Sequence, residues 1–231
     1  MGAIDRFGDG LAEVRRLLTL DPSHDHDLDG SDLSSEMGAS VRRSAVVLLV
    51  SHFEGFLKSM SEEMLDSFND GSIETRRIPK GVRELHIVPH LTEIVSCNDE
   101  RQKFVLLAKL TKISSLWNDD AKPSRGTLKA AVVSRTVHNA DSDCIERLFE
   151  MFGISDVCSG EIDVRDEQSD SEESHNIRAR LQDLVKCRND IAHGDIDRKP
   201  TGDDVKRYLI FLENYARRLD RKSKQAVPIQ Q

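Results

Sequence analysis

No stretch of this 231-residue chain is apolar for long enough to cross a bilayer. The longest such run, Ala45 to Val50, soon meets His52 and Glu54, far short of the ~18 residues a span needs. The first helical segment is acidic from Asp5 onward and lacks the basic start and apolar centre of an export signal, which predicts a cytoplasmic protein with no membrane partner. The four cysteines, Cys97, Cys144, Cys158 and Cys187, contain no Cys-x-x-Cys pair. That spacing argues against a structural zinc and against a disulfide framework, and predicts free thiols. An excess of positive charge is also missing: the net charge is −8, whereas affinity for nucleic acid comes largely from Lys and Arg on phosphates.

The average conceals segregation. Residues 150–175 hold nine acids and one base, and residues 1–40 hold nine acids and three bases. Residues 176–231 hold thirteen bases and eight acids, so the basic excess lies in the last quarter of the chain. It is modest, and a solvated helix face accounts for it about as well as a nucleic-acid footprint does.

Periodicity supplies most of the fold. Ile4, Phe7, Leu11, Val14 and Leu18 predict a helix from about Ile4 to Leu20, stopped near Pro22. A longer helix is expected from about Met37 to Phe68, with Val41, Ala45, Leu48, Leu49, Phe53, Phe56, Leu57, Met60 and Met64 inward. Asp141 or Ser142 can cap a short helix carrying Ile145, Leu148, Phe149 and Phe152, closed by Gly153. Ile177, Leu181, Leu184, Arg188 and Ile191 mark the penultimate helix, ended by Gly194. A Thr201/Asp204 capping pair opens the last one, with Val205, Tyr208, Leu209, Leu212, Tyr215, Ala216 and Leu219 inward, which makes the two tyrosines packing residues.

Between these elements, residues 71–140 read as an irregular insertion punctuated by Pro79, Pro89 and Pro123. Phe104, Leu107 and Leu110 suggest a helix there, and Ala130 to Val137 suits either a strand or a buried helix. Acidic loops are expected near 21–36 and 155–175, and a disordered tail over 223–231. The expectation is therefore one all-α domain over 1–222, built on four to five main helices.

The chemistry concentrates in Arg188-Asn189-Asp190-Ile191-Ala192-His193-Gly194. A permanent cation and an imidazole that titrates near neutrality are what metal-free cleavage of a phosphodiester needs. Arg188 lies on an apolar stripe, so it must either pair internally or face a cleft. His193 is about 140° further round an ideal helix, so convergence needs a frayed end or a second copy of the site. The plainer account stands beside this one: helical arginines commonly pair with nearby acids, and a histidine before glycine is an ordinary helix end favoured by the macrodipole.

The motif RNDIAHG, followed by one more amphipathic helix, resembles the Arg-x4-6-His signature of the HEPN superfamily (higher eukaryotes and prokaryotes nucleotide-binding domains), and SHFEGFLKSM at 51–60 resembles the Ser-His-x-Glu-x-Phe pattern of its members from conflict and defence loci. The resemblance implies a HEPN-like helical bundle, a homodimer with facing motifs, and a toxin- or antiviral-type endoribonuclease. That enzyme would use no metal and no cofactor and leave a 2′,3′-cyclic phosphate. Carried onto this chain, Arg188 and His193 are the catalytic pair and Asn189 the polar helper. A subgroup silenced by nucleotide attachment carries tyrosine two residues after the histidine. Here Asp195 stands in its place, so any antitoxin or regulatory partner must work otherwise. Some HEPN relatives are non-catalytic dimerising or ligand-binding modules, which is the alternative reading.

Weaker signals complete the picture. Glu54 faces the cleft, pairs with Arg188 and so orients its guanidinium, or is simply exposed to solvent, and His52 reads as a hydrogen-bonded core histidine. Lys186 and Arg207, with Arg217 and Arg218, are candidates for holding RNA or are simply a wet helix face. Asp25, Asp27, Asp29, Gly30 and Glu36 match a calcium-loop pattern, but Pro22 and His24 interrupt its incoming helix and Asp32 occupies a normally apolar place. A solvated acidic loop is the default there, and His24 and His26 alone are weak metal ligands.

Overall fold

A computed structural model of the chain describes residues 1–22, 32–111, 113–166 and 171–226. The chain is mostly helical: α1 (Ala3–Leu18), α2 (Asp32–Asp66), α3 (Lys80–Ser96), α4 (Glu100–Leu110), α5 (Ala130–Ser134), α6 (Ser142–Met151), a hairpin of β1 (Glu161–Asp166) and β2 (Ser171–Asn176), then α7 (Ile177–Ala192) and α8 (Gly202–Ala226). Among the described residues no helix is long and apolar enough to cross a membrane. All four cysteines are free thiols.

The architecture follows from α2, whose stripe from Ala45 through Leu49, Phe53, Leu57 and Met60 to Met64 is buried. Val41 and Leu48, expected inward, are only half-buried; Val46 and Val50 take their place in the core. α1, α5, α7 and α8 all rest on α2. Phe7, Phe53, Phe56 and Tyr215 interlock at the centre, with ring centroids 5.3–6.1 Å apart. The capping pair at the start of α8 forms as expected: the Thr201 amide donates to Asp204 Oδ2 at 2.9 Å and the Asp204 amide to Thr201 Oγ1 at 3.1 Å. Tyr208 and Tyr215 are buried packing residues.

Four expectations are corrected. The 155–175 segment is not a structureless loop: β1 pairs antiparallel with β2, Glu161 opposite Asn176. Ile162 and Val164 alternate inward beneath an acidic exterior, and α8 holds the hairpin through Asn214 Nδ2 to the Asp163 carbonyl (3.0 Å) and Arg218 Nη2 to that of Ser159 (2.8 Å). The acidic loop expected over 21–36 is shortened because α2 begins at Asp32, which places Glu36 on a helix; Asp25, Asp27, Asp29, His24 and His26 lie outside the described residues. The expected tail is helical to Ala226, carried by a Lys224–Asp220 pair at 2.7 Å. Pro89 does not break the middle: α3 runs through it, with Pro89 itself exposed.

Within that middle, Ala130–Ser134 is helical rather than extended. α3 and α4 form a helical hairpin. Its base is tight: a Cβ placed on Gly81 would lie 2.7 Å from Met151 Cα, so α3 meets the end of α6 backbone to backbone. Val82, His86 and Ile94 of α3 and Leu106 of α4 are buried, whereas Phe104 and Leu107 point to solvent instead of the core.

Candidate active site

α7 starts where Asn176 accepts the Ala179 amide at 3.1 Å and buries Ile177, Leu181 and Leu184 in succession. The next member of that stripe is Arg188. Its Nη2 donates to Glu54 Oε1 at 2.5 Å and to Asn139 Oδ1 at 3.2 Å, with both charged side chains about one-quarter exposed (24% and 23%). Glu54 follows the buried Phe53 on α2, which presents its carboxylate to this seam. Asn139, between α5 and α6, is fixed in turn: its Nδ2 donates to Asp141 Oδ2 at 2.8 Å. The Nη1 and Nε groups of Arg188 have no partner among the described residues. One edge of the guanidinium is therefore anchored and the other is open to an anion.

The end of α7 is a Schellman closure. The Asp195 amide reaches the Asp190 carbonyl at 2.9 Å and the Gly194 amide that of Ile191 at 3.1 Å, with Gly194 at φ +87°. His193 is the C-cap, its own amide bonded to the Asn189 carbonyl at 2.9 Å. Its ring is exposed and free of hydrogen bonds and ion pairs among the described residues. The helix does not fray, so the 140° offset from Arg188 holds: Arg188 is engaged with α2, and His193 stands apart at the helix end.

Asn189 is half-buried with an uncommitted amide. Lys186 is exposed and Arg207 half-buried, neither with an ion-pair partner among the described residues, and no hydrogen bond joins either to Arg188. Glu36 is exposed on α2. His52 is hydrogen-bonded as expected, Nε2 to Glu13 Oε2 at 3.0 Å, but it is only half-buried beside an exposed carboxylate and so is not a core residue. No group of three potential metal ligands gathers among the described residues.

Beside the motif lies a groove of about 800 Å³ between the first half of α2 and the turn after α7, walled by Val47, Leu48, Ile191 and Ile196. Arg43 and Lys199 enter it without carboxylate partners among the described residues. Neither Asn139 nor these two cations was singled out in the sequence. Asn139 sits in a segment without period, and the cations are ordinary surface residues until the fold brings α2 and the 196–199 turn together.

A family model for RiboL-PSP-HEPN matches residues 13–225, nearly the whole chain. The chain belongs to the RiboL-PSP-HEPN family. No curated protein and no solved structure matches it. Membership accounts for the all-α bundle and gives this HEPN chain a family background in RNA and nuclease function. The match runs continuously through α3, α4 and the β-hairpin, so these parts lie inside the HEPN region itself.

Proposed function

We propose that this HEPN chain is a metal-independent endoribonuclease of the toxin or antiviral-effector type, acting in the cytoplasm as a homodimer. The reading rests above all on one observation: within a HEPN chain, the arginine of the Arg-x4-His pair is held at one edge with its other edge open, and the histidine of the pair is free. His193 takes the proton from a ribose 2′-hydroxyl. The 2′-oxygen bonds to phosphorus, the bond to the 5′-oxygen breaks, and a protonated imidazole supplies the leaving oxygen with its proton. Arg188 offsets charge on the phosphoryl oxygens through Nη1 and Nε, and Asn189 orients the reacting group. The two side chains stand on different sides of α7, so a complete site draws on two facing copies. Arg43, Lys199, Lys186 and Arg207 hold flanking phosphates, and a separate regulatory protein restrains the nuclease.

The second reading, a non-catalytic HEPN dimerising or ligand-binding module, is favoured by the Glu54 carboxylate, which already offsets the charge of Arg188. RNA incubated with the purified protein in chelator separates the two. Cleavage leaving 2′,3′-cyclic phosphate ends, lost in His193→Ala and in Arg188→Ala, supports the enzyme. RNA that stays intact at every protein concentration supports the module.

A further inference from the structure

Five buried side-chain polar atoms lack a hydrogen-bond partner among the described residues, and four of them belong to one cluster: Arg180 Nε and Nη2, Arg198 Nε and His175 Nε2. Native chains leave few such atoms, because a buried charged donor without an acceptor is among the costlier defects a fold can carry. Their concentration in one place asks for an acceptor that the chain itself does not supply.

Asp183 organises the cluster. Its Oδ2 takes the Tyr208 hydroxyl at 2.5 Å and Arg180 Nη1 at 3.3 Å, and its Oδ1 lies 3.5 Å from Arg198 Nη2. The Arg180 guanidinium is stacked on the Tyr208 ring, 4.3 Å from the centroid. The His175 ring faces the charges of Arg180 and Arg207, and its Nε2 has only a loose 3.5 Å approach to the Glu173 carboxylate. β2, α7, the turn after α7 and the first turns of α8 thus converge here.

The acids present are already engaged. Both Asp183 oxygens have partners, and Asp204, which faces Arg180 and Arg207, gives its Oδ2 to the amide and hydroxyl of Thr201. Three guanidinium charges against these two carboxylates leave a positive excess in a chain of net charge −8.

The shape of the vacant donors selects the ligand. Nε and Nη2 form one edge of a guanidinium, two parallel N–H groups that match two oxygens of one anion. A carboxylate would spend both its oxygens on that edge, whereas a tetrahedral phosphate keeps others for Arg198 Nε and for the charge of Arg207. Asp183 and Arg198 are 44% and 38% exposed, so the cluster reaches the surface and an anion has a way in from that side.

We infer that Arg180, Arg198 and Arg207 form a binding site for a phosphate group, gripped by the Nε–Nη2 edge of Arg180. The site stands about 12 Å along α7 from Arg188. Only Arg207 is shared with the proposed RNA path, and the inference stands without the ribonuclease reading.

Melting of the full chain in sodium phosphate and in sodium chloride at matched ionic strength tests it. The melting temperature should rise with phosphate, saturably, and chloride should not reproduce the rise. The His175 ring, followed by NMR, should titrate at higher pH in phosphate, because the anion offsets Arg180 and Arg207 beside it. Arg180→Lys keeps the charge and loses the fork, so it should need at least about tenfold more phosphate for the same rise. Arg207→Ala, at a half-exposed position, should also shift the dependence to higher phosphate. An oligonucleotide 2′-O-methylated throughout, which cannot be cut, tells the source of the phosphate. Weaker binding of it by Arg180→Lys assigns the site to an RNA backbone, and unchanged binding alongside a weakened phosphate response assigns it to a small phosphate ligand; either supports the site. No rise specific to phosphate in the wild type overturns the inference, as does a rise undiminished in both variants.

Discussion

Glu54 Oε1 on α2 and Arg188 Nη2 on α7 lie 2.5 Å apart across 134 residues of sequence. The pair couples the central helix to the motif helix and fixes the angle at which the guanidinium leaves α7. Its worth is positional. At about one-quarter exposure, such a pair contributes ~1 kcal/mol or less to stability.

Replacing the carboxylate therefore tests whether Glu54 positions Arg188 or restrains it. In Glu54→Gln the melting temperature should change little, while RNA cleavage falls about tenfold to a hundredfold as the guanidinium loses its anchor. An unchanged or faster rate would show that Glu54 restrains Arg188 instead of positioning it.

Gly194 is required by the closure of α7. At φ +87°, Gly194→Ala strains the turn by roughly 1–2 kcal/mol, and Gly194→Asn by less. Cleavage should fall further than thermal denaturation alone explains, because the strained turn carries the C-cap residue His193. Activity tracking stability one for one across the two variants would refute a positioning role.

The groove gives a prediction in salt. Arg43→Ala and Lys199→Ala should each weaken RNA binding across sequences and reduce the slope of log affinity against log salt by about 0.7, with single-turnover cleavage at saturation preserved. Unaltered slopes in both variants would remove the groove from the RNA path.

His86 makes stability depend on pH. Its Nδ1 donates to the Val82 carbonyl at 2.8 Å and its Nε2 accepts the Lys129 amide at 2.8 Å, a neutral arrangement. Burial holds its pKa below the usual 6.5. The unfolded chain then binds more protons, so this stabilisation is present above about pH 6.5 and is lost as pH falls through the lower folded value. Burial also lowers His175, which adds to the same slope. Thermal melts between about pH 7.5 and 5.5 should show a decline that is shallower in His86→Gln, whose amide can make both bonds without titrating. An equal decline in the variant would rule out His86 as a source.

The principal helices could be read from the sequence because their apolar stripes face the core: the steps from Phe7 to Leu18, Ile177 to Leu184 and Val205 to Leu219 are all buried. The hairpin after α6 could not, since two inward residues, Ile162 and Val164, are a weak alternation among acids and serines. The middle was obscure for the opposite reason. Phe104 and Leu107 have helical spacing but face outward, and a periodicity argument assumes that an apolar stripe faces inward. At the site, a carboxylate partner for Arg188 was foreseeable from the cost of leaving a guanidinium unpaired, and Glu54 was a named candidate. Asn139 was not foreseeable, because its place depends on how two short helices meet.

The contact of Gly81 with Met151 gives the hairpin leverage. α3 is about 25 Å long, and its base rests against backbone that has no side-chain slack to absorb a displacement. A single methyl group at position 81 would wedge that base open, and geometry would magnify the wedge into a swing on the order of several ångströms at the far tip. The smallest residue in the chain thus sets the bearing of its most prominent apolar projection.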